Sequence, residues 1–218
     1  MTMETRTAAA EFTGPAHERV YRSLRQAIMH GDTAPGRSIT IRGIAAQYGV
    51  SMTPAREAAR RLAAEGALAL TSSGRARTPT LDSSRIEELC AVRALLEPAL
   101  AERALPRVHG ALISRLRGLN DSLRQRILER DASGYIRGNL EFHRTLYLRA
   151  QSPAMLAIVE TVWLQLGPTL ASLYQQADAS HQVGSHAAII ARLAAGDEAG
   201  LRQAVREDVT KCLQMLRD

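Results

Sequence analysis

The stretch from Thr40 to Leu62, TIRGIAAQYGVSMTPAREAARRL, constrains the fold most, because two short helical patterns flank one tight turn. Gly49 stands where a helix ends in a left-handed residue, and Val50 is expected to fill the corner between the helices. The apolar positions of the first helix, which recur at helical spacing, are Ile41, Ile44, Ala45 and Tyr48. The pattern predicts a helix-turn-helix.

The second helix of this pair is predicted to begin near Met52. Ser51 or Thr53 can cap it by accepting backbone N–H groups, and Pro54 suits its first turn. Its predicted buried face consists of Ala55, Ala58, Ala59 and Leu62, and its outward face carries Arg56, Arg60 and Arg61. A basic helix in this position is typical of proteins that enter a DNA groove, and an ordinary hairpin with a solvated basic face is the alternative.

The flanking segments extend this motif to a winged helix over residues 15–80. A supporting helix is predicted from Ala16 to His30, and it ends before Gly31. Two strands are predicted at Leu68–Thr71 and Ala76–Thr80, around a turn at Ser72, Ser73 and Gly74. Residues 1–14 are predicted to form a disordered arm.

The same residues resemble the DNA-binding domain of GntR-family bacterial transcription regulators. The elements that carry the resemblance are Ile44-Ala45, Gly49-Val50-Ser51, Thr53-Pro54 and Arg56-Glu57-Ala58. The resemblance implies DNA contacts from Arg42, Ser51, Thr53 and Arg56, and the wing adds Ser73, Gly74 and Arg75 as candidates. Met52 departs from the family pattern, which often has an arginine there, so the base pair read at that point is expected to differ, unless Met52 only packs on the groove.

Charge supports the same partner. Between Pro15 and Thr80 the chain has ten arginines and four acidic residues, whereas the remainder is close to neutral. A basic surface of this kind neutralises DNA phosphates and makes binding salt-dependent.

The length and composition suit a soluble, mostly α protein with two small domains. No uninterrupted apolar run reaches the roughly 18 residues that span a bilayer, and no secretory signal precedes the first helix, so a cytoplasmic location is expected. Cys90 and Cys212 lie on apolar helical stripes and are expected to be buried thiols.

After a polar linker at residues 81–84, residues 85–218 show helical periodicity throughout. Breaks near residues 106–110, 131–134, 151–153, 178–184 and 196 divide this part into about six helices. The predicted fold is therefore mostly α, with an amino-terminal winged helix and a carboxy-terminal antiparallel helical bundle.

Three helices of the bundle carry polar residues that could meet in its interior. Asn139 and His143 lie four residues apart on one helix face, His186 begins another helix, and Asp208 lies on the last one. Imidazoles and a carboxylate that converge in a bundle can bind a metal ion, but isolated histidines are more often hydrogen-bonded or half-exposed structural residues.

This part of the chain resembles the FCD effector domain of the FadR-type GntR subfamily. The resemblance implies a divalent metal held by Asn139, His143, His186 and Asp208, with zinc, nickel and manganese as candidates. Asn139 replaces the usual aspartate and Asp208 the usual histidine, which is expected to weaken the site. Arg93 is the candidate for the effector carboxylate, although a salt bridge with Glu97 or with another acidic residue of the bundle is equally consistent with its position. Trp163 is expected to pack in the core.

Together these features predict a sequence-specific transcription regulator and not an enzyme. The resemblance implies a homodimer that binds a palindromic operator, acts as a repressor and responds to a small carboxylate metabolite. Two other functions fit part of the pattern, namely a non-specific architectural DNA-binding protein and a metal-dependent helical enzyme, although no nucleophile or general acid accompanies the polar residues of the bundle.

Overall fold

The amino-terminal domain consists of three helices and a small antiparallel sheet. The computed structural model describes residues 12–71, 75–176 and 180–214, with the side chains of these residues except 176, 180–184 and 212–214. Residues 1–11 of the predicted arm, the wing turn with Ser73 and Gly74, and the side chain of Cys212 lie outside this part. The elements of the domain are α1 (Ala16–Met29), β1 (Ser38–Thr40), α2 (Ile41–Tyr48), α3 (Met52–Ala64), β2 (Ala69–Leu70) and β3 (Arg75–Arg77).

The turn between α2 and α3 follows from local chemistry. Thr40 caps α2 by accepting a hydrogen bond from the backbone N–H of Gly43, at 2.9 Å. Gly49 ends α2 in the left-handed region at φ 63°, as predicted. Ser51 occupies the position before α3, but its hydroxyl makes no capping hydrogen bond. The predicted face of Ala55, Ala58, Ala59 and Leu62 is fully buried, and α3 packs on both α1 and α2.

The sheet contains one strand that the sequence did not indicate. Strand β3 is central and pairs antiparallel with β1 on one side and β2 on the other. The strands of the wing are shorter than predicted, because pairing beyond Arg77 continues only as isolated bonds between Thr78 and the segment at Gly36 and Arg37. Strand β1 was missed because Pro35 and Gly36, just before it, indicated a loop. Its extended conformation depends on pairing with β3, which lies almost 40 residues further along the chain.

The remaining described residues form the predicted bundle of six long helices. They are α4 (Ser83–Ala104), α5 (Gly110–Leu128), α6 (Ala132–Tyr147), α7 (Pro153–Gln176), α8 (Ser180–Ala195) and α9 (Glu198–Gln214), with short 3-10 turns at Leu105–Arg107 and Leu148–Ala150. Helix α4 begins inside the predicted linker, because Asp82 caps it through the backbone N–H of Arg85. Cys90 is buried within α4. The mostly helical fold class is confirmed.

Helix α7 joins the two hydrophobic cores. Trp163 and Leu166 pack in the bundle core, whereas Leu164 packs in the core of the winged helix. Helix α7 is long and apolar enough to cross a membrane by composition alone, but half of that apolar segment is buried inside the protein. A helix that is apolar on all sides is expected where neighbouring elements cover it on several faces.

Candidate functional site

The first turn of α3 presents an exposed polar and basic surface. The side chains of Ser51, Met52, Thr53 and Arg56 are all exposed there. Arg42 is exposed at the start of α2, so the helix-turn-helix offers basic groups from both of its helices. Backbone N–H groups at a helix amino terminus and flanking arginines are suited to DNA phosphates and base edges.

Four of the ten arginines between Pro15 and Thr80 are held by other groups of the domain. Arg19 donates to the carbonyl of Gly14, Arg22 and Arg61 pair with Glu18, and Arg25 pairs with Glu65. The guanidinium of Arg61 also lies 3.6 Å from the centre of the Tyr21 ring. Arg61 faces outward as predicted, with its side chain 51% exposed, but it also joins α3 to α1. The acidic and aromatic groups of α1 that hold it were not visible in the local pattern of α3.

The other six arginines keep exposed guanidinium groups that contact no acidic residue in the described part of the chain: Arg37, Arg42, Arg56, Arg60, Arg75 and Arg77. In the wing, Arg75 and Arg77 flank the buried Ala76, so both side chains point away from the face of the sheet that packs on the core. Arg75 lies opposite Thr40 in the sheet, and Thr40 precedes Arg42 by two residues. This register places the wing arginine beside the start of α2.

A second candidate site lies inside the bundle, where His143, His186 and Asp208 meet. These residues come from α6, α8 and α9, and one ligand atom from each lies within 4.8 Å of the other two. The Nε2 atom of His143 lies 3.0 Å from one carboxylate oxygen of Asp208, and Nε2 of His186 lies 3.8 Å from the other. Both imidazoles are fully buried. Asn139 lines the adjoining cavity together with Asp208.

A buried hydrogen-bonded chain orients His143. Glu97 accepts hydrogen bonds from Nε of Arg93 at 2.6 Å, from Nε1 of Trp163 at 3.0 Å and from the hydroxyl of Tyr147 at 2.9 Å. Because Tyr147 donates its only proton to Glu97, its oxygen is left to accept from Nδ1 of His143, 3.0 Å away. That bond places the Nδ1 proton of the imidazole toward Tyr147 and turns Nε2 toward Asp208.

The donor atoms of this cluster suit a cation. Nε2 of His143 and both ring nitrogens of His186 are buried without a hydrogen-bond partner among the described residues. The 3.0 Å contact between Nε2 of His143 and the carboxylate of Asp208 is electrostatic. With the Nδ1 proton of His143 directed toward Tyr147, Nε2 of His143 faces the carboxylate of Asp208 with a lone pair, and these two groups repel unless a positive charge lies between them. A divalent ion fits this ligand set.

The electrostatic environment keeps the ligands in the states that bind metal. Burial lowers the pKa of His186 to about 4, so its ring is neutral at pH 7. Burial alone would raise the pKa of Asp208, but His143, His186 and Arg93 together hold it below its ordinary value. Burial, followed by the nearby charge of Glu97, raises the pKa of Tyr147 well above its usual range, so this hydroxyl keeps its proton.

The winged helix forms part of the wall of this cavity. Met29, at the end of α1, lines it together with Gly167 and Leu170 of α7. A methyl group at Gly167 would lie only 2.4 Å from the carbonyl oxygen of Met29 and 2.6 Å from that of Ile28. Helices α1 and α7 thus touch backbone to backbone, and the DNA-binding domain directly contacts the cavity.

Comparison with known proteins identifies both halves. Residues 16–76 match the bacterial regulatory proteins of the gntR family, and residues 88–211 match the FCD domain. This chain belongs to the GntR family of transcription regulators. The family consists of transcription regulators rather than enzymes.

Relatives agree with this membership. The regulator is 25% identical to the HTH-type transcriptional regulator McbR of Escherichia coli K12, over 91% of each chain. It is 30% identical to the gluconate operon transcriptional repressor of Bacillus subtilis, over 71% of this chain and 61% of that one. The solved structure of E. coli McbR superimposes with a TM-score of 0.87 at 24% identity, covering 94% of this chain and 98% of the other, which shows a shared fold.

Several site residues of this regulator were not apparent from the sequence. Arg93 is buried in a salt bridge with Glu97, the alternative that its position left open, and it also lines the cavity. Trp163 packs in the core as expected, but it also donates a hydrogen bond to Glu97. Tyr147 was missed, although it lies four residues after His143, a spacing that places both on one helix face. No local pattern indicated Met29.

Proposed function

We propose that this regulator is a metabolite-responsive repressor that acts in the cytoplasm on a palindromic operator. The exposed start of α3, with Arg56, which forms no ion pair with any described residue, supports the DNA-binding part of the proposal. The buried ligand cluster, with Met29 of the DNA-binding domain in the wall of the adjoining cavity, carries the regulatory part. The name of the gluconate operon transcriptional repressor supports repression. We propose a small sugar acid or related carboxylate as the effector.

Sequence-specific binding is tested by selecting duplexes from a randomised pool with the full-length protein. Arg56→Ala is expected to weaken binding to the selected operator by about 1 to 3 kcal/mol, because a bidentate contact to a base edge is lost. Arg124→Ala, which removes an exposed arginine from α5 of the bundle, is the control and should leave the affinity unchanged. Equal losses for both variants, or a pool that yields no preferred sequence, would favour an architectural DNA-binding protein.

The metal would be held by His143, His186 and Asp208, with Asn139 as a neutral oxygen donor at the edge of the cavity. A divalent ion there would supply positive charge that attracts the carboxylate of an effector. His143 is kept in the binding tautomer by Tyr147, and Arg93 brings a second positive charge to the same cavity. The replacement of an imidazole by Asp208 favours harder ions, such as manganese, more than an all-histidine site would.

Metal binding is tested by titrating dialysed protein with Zn²⁺, Ni²⁺ and Mn²⁺ in a calorimeter. The wild type should bind one equivalent, and His143→Ala should bind none at micromolar concentrations. Tyr147→Phe should reduce affinity roughly 10- to 100-fold, as expected when the partner that orients a ligand is lost. His109→Ala, an exposed histidine of the same domain, should bind normally. Absence of binding to the wild type would remove the metal from the proposal.

The size of the cavity supports a link between effector and DNA. Its interior space is about 20 Å³, enough for little more than one water molecule. A metabolite therefore fits only when the wall moves, and Met29 and Gly167 belong to that wall. Their displacement would move α1, on which the recognition helix α3 packs. Ligand binding would thus shift the population between two arrangements of the DNA-binding domain.

A homodimer is supported by two exposed apolar side chains on the neighbouring helices α4 and α7. These helices run antiparallel, since Arg85 bonds to Gln165 at one end and Arg103 to Ser152 at the other. Leu95 and Ile158 lie at the same level between those contacts and are 67% and 52% exposed. Exposed large apolar side chains on adjacent helices are typical of subunit interfaces. Two subunits would place two recognition helices on the two halves of the operator.

A further inference from the structure

Met52 is an exposed apolar side chain at the tip of the recognition helix. The other apolar side chains that α3 uses for packing, Ala55, Ala58, Ala59 and Leu62, are at most 1% exposed, whereas Met52 is 39% exposed. Among the described residues of the winged helix only Leu70, in the wing, is a comparably exposed large apolar residue. Met52 therefore contributes little to the core of the domain.

Its position places Met52 beside the residue most suited to reading a base. Met52 is the first residue of α3, and Arg56 follows one turn later on the same helix face. The guanidinium of Arg56 forms no hydrogen bond or ion pair within the described part of the chain, so it is available for a base edge. Side chains four residues apart on a helix in the major groove reach neighbouring base pairs.

The chemistry of the groove restricts what an apolar side chain can read there. Three of the four bases present only hydrogen-bonding groups and ring carbons to the major groove, whereas thymine presents a methyl group. A thioether donates no hydrogen bond and accepts only weakly, but its unbranched side chain adapts to an apolar partner. We propose that Met52 recognises the 5-methyl group of a thymine next to the base pair that Arg56 reads. This inference rests on the proposed binding of a specific operator.

The experiment compares thymine with uracil, which differs only by the missing methyl group. The operator is first selected from random duplexes by the wild-type protein, and each thymine of one half-site is then replaced by uracil in turn. At one position the wild type should lose about three- to fivefold in affinity, which is the value of burying one methyl group. Met52→Ala should bind the thymine operator more weakly and should no longer distinguish the two bases at that position.

Met52→Leu serves as the matched control, because it retains an apolar side chain and should retain the preference for thymine. Thermal melting checks that both variants are folded, as expected for substitutions at an exposed position. If no thymine-to-uracil replacement affects the wild type, or if Met52→Ala shows the same sensitivity, the inference is wrong although operator binding stands. If selection yields no preferred sequence, the proposed function itself fails.

Discussion

Glu97→Ala is expected to cost about 3 to 5 kcal/mol of unfolding free energy, the largest effect of any single substitution considered for this protein. Glu97 is fully buried and accepts hydrogen bonds from Arg93, Trp163 and Tyr147. Its removal takes away the acceptor of the indole N–H of Trp163 and the carboxylate that pairs with the buried guanidinium of Arg93. The loss is measured by thermal or denaturant unfolding of the full-length chain.

Glu88→Ala provides the matched control. Glu88 lies on the same helix and also pairs with an arginine, but its side chain is 64% exposed. Exposed ion pairs contribute about 0 to 1 kcal/mol, so this variant should unfold close to the wild type. Similar losses of unfolding free energy for Glu88→Ala and Glu97→Ala would mean that the buried hydrogen bonds of Glu97 contribute no more to stability than a surface ion pair. Glu97→Ala should in addition weaken metal binding, since Tyr147 would no longer be held against His143.

Gly167→Ala and Gly118→Ala are expected to change stability in opposite directions. Both glycines lie inside long helices, where alanine is favoured by about 0.5 to 1 kcal/mol. A methyl group at Gly118 meets nothing within 4 Å, so Gly118→Ala should stabilise. At Gly167 the methyl group would overlap the backbone carbonyls of Met29 and Ile28, which cannot rotate away. Overpacking of this kind costs about 1 to 3 kcal/mol and should outweigh the helical preference.

The melting temperatures of the two variants decide the outcome, with shifts of about 2 to 4 °C for each kcal/mol in a chain of this length. Because Gly167 lies between the domains, its variant should also show the winged helix and the bundle unfolding in separate transitions. Stabilisation by alanine at both positions would mean that α1 and α7 are not in close backbone contact in solution. The proposal that movement of the cavity wall displaces α1 and the recognition helix α3 would then be contradicted.

Local patterns predicted the helix-turn-helix well because its determinants are local. The turn needs a left-handed residue, which Gly49 supplies, and the buried face of α3 repeats at helical spacing from Ala55 to Leu62. The same reasoning could not find β1, whose partner strand is distant, or the role of Arg61, which depends on Glu18 and Tyr21 of another helix.

Local sequence patterns predicted less of the candidate metal and effector site. Helical spacing placed Asn139 and His143 on one face, but it could not show that His186 and Asp208 of two other helices meet His143. The resemblance to the FCD domain supplied that expectation. The contributions of Glu97 and Met29 depend on how α4, α7 and α1 pack. A buried carboxylate with three donors is a tertiary property, and helical periodicity alone predicts neither its burial nor its partners.

The central claim is that occupation of the bundle cavity changes DNA binding by the winged helix. The most direct measurement is the affinity of the full-length protein for its selected operator, with and without divalent metal and a carboxylate chosen by thermal-shift screening of small carboxylic and sugar acids. The affinity of the wild type should change at least fivefold on ligand addition, and that of His143→Ala should not change. If calorimetry shows metal and carboxylate bound to the wild type while operator affinity stays the same, the cavity does not regulate DNA binding.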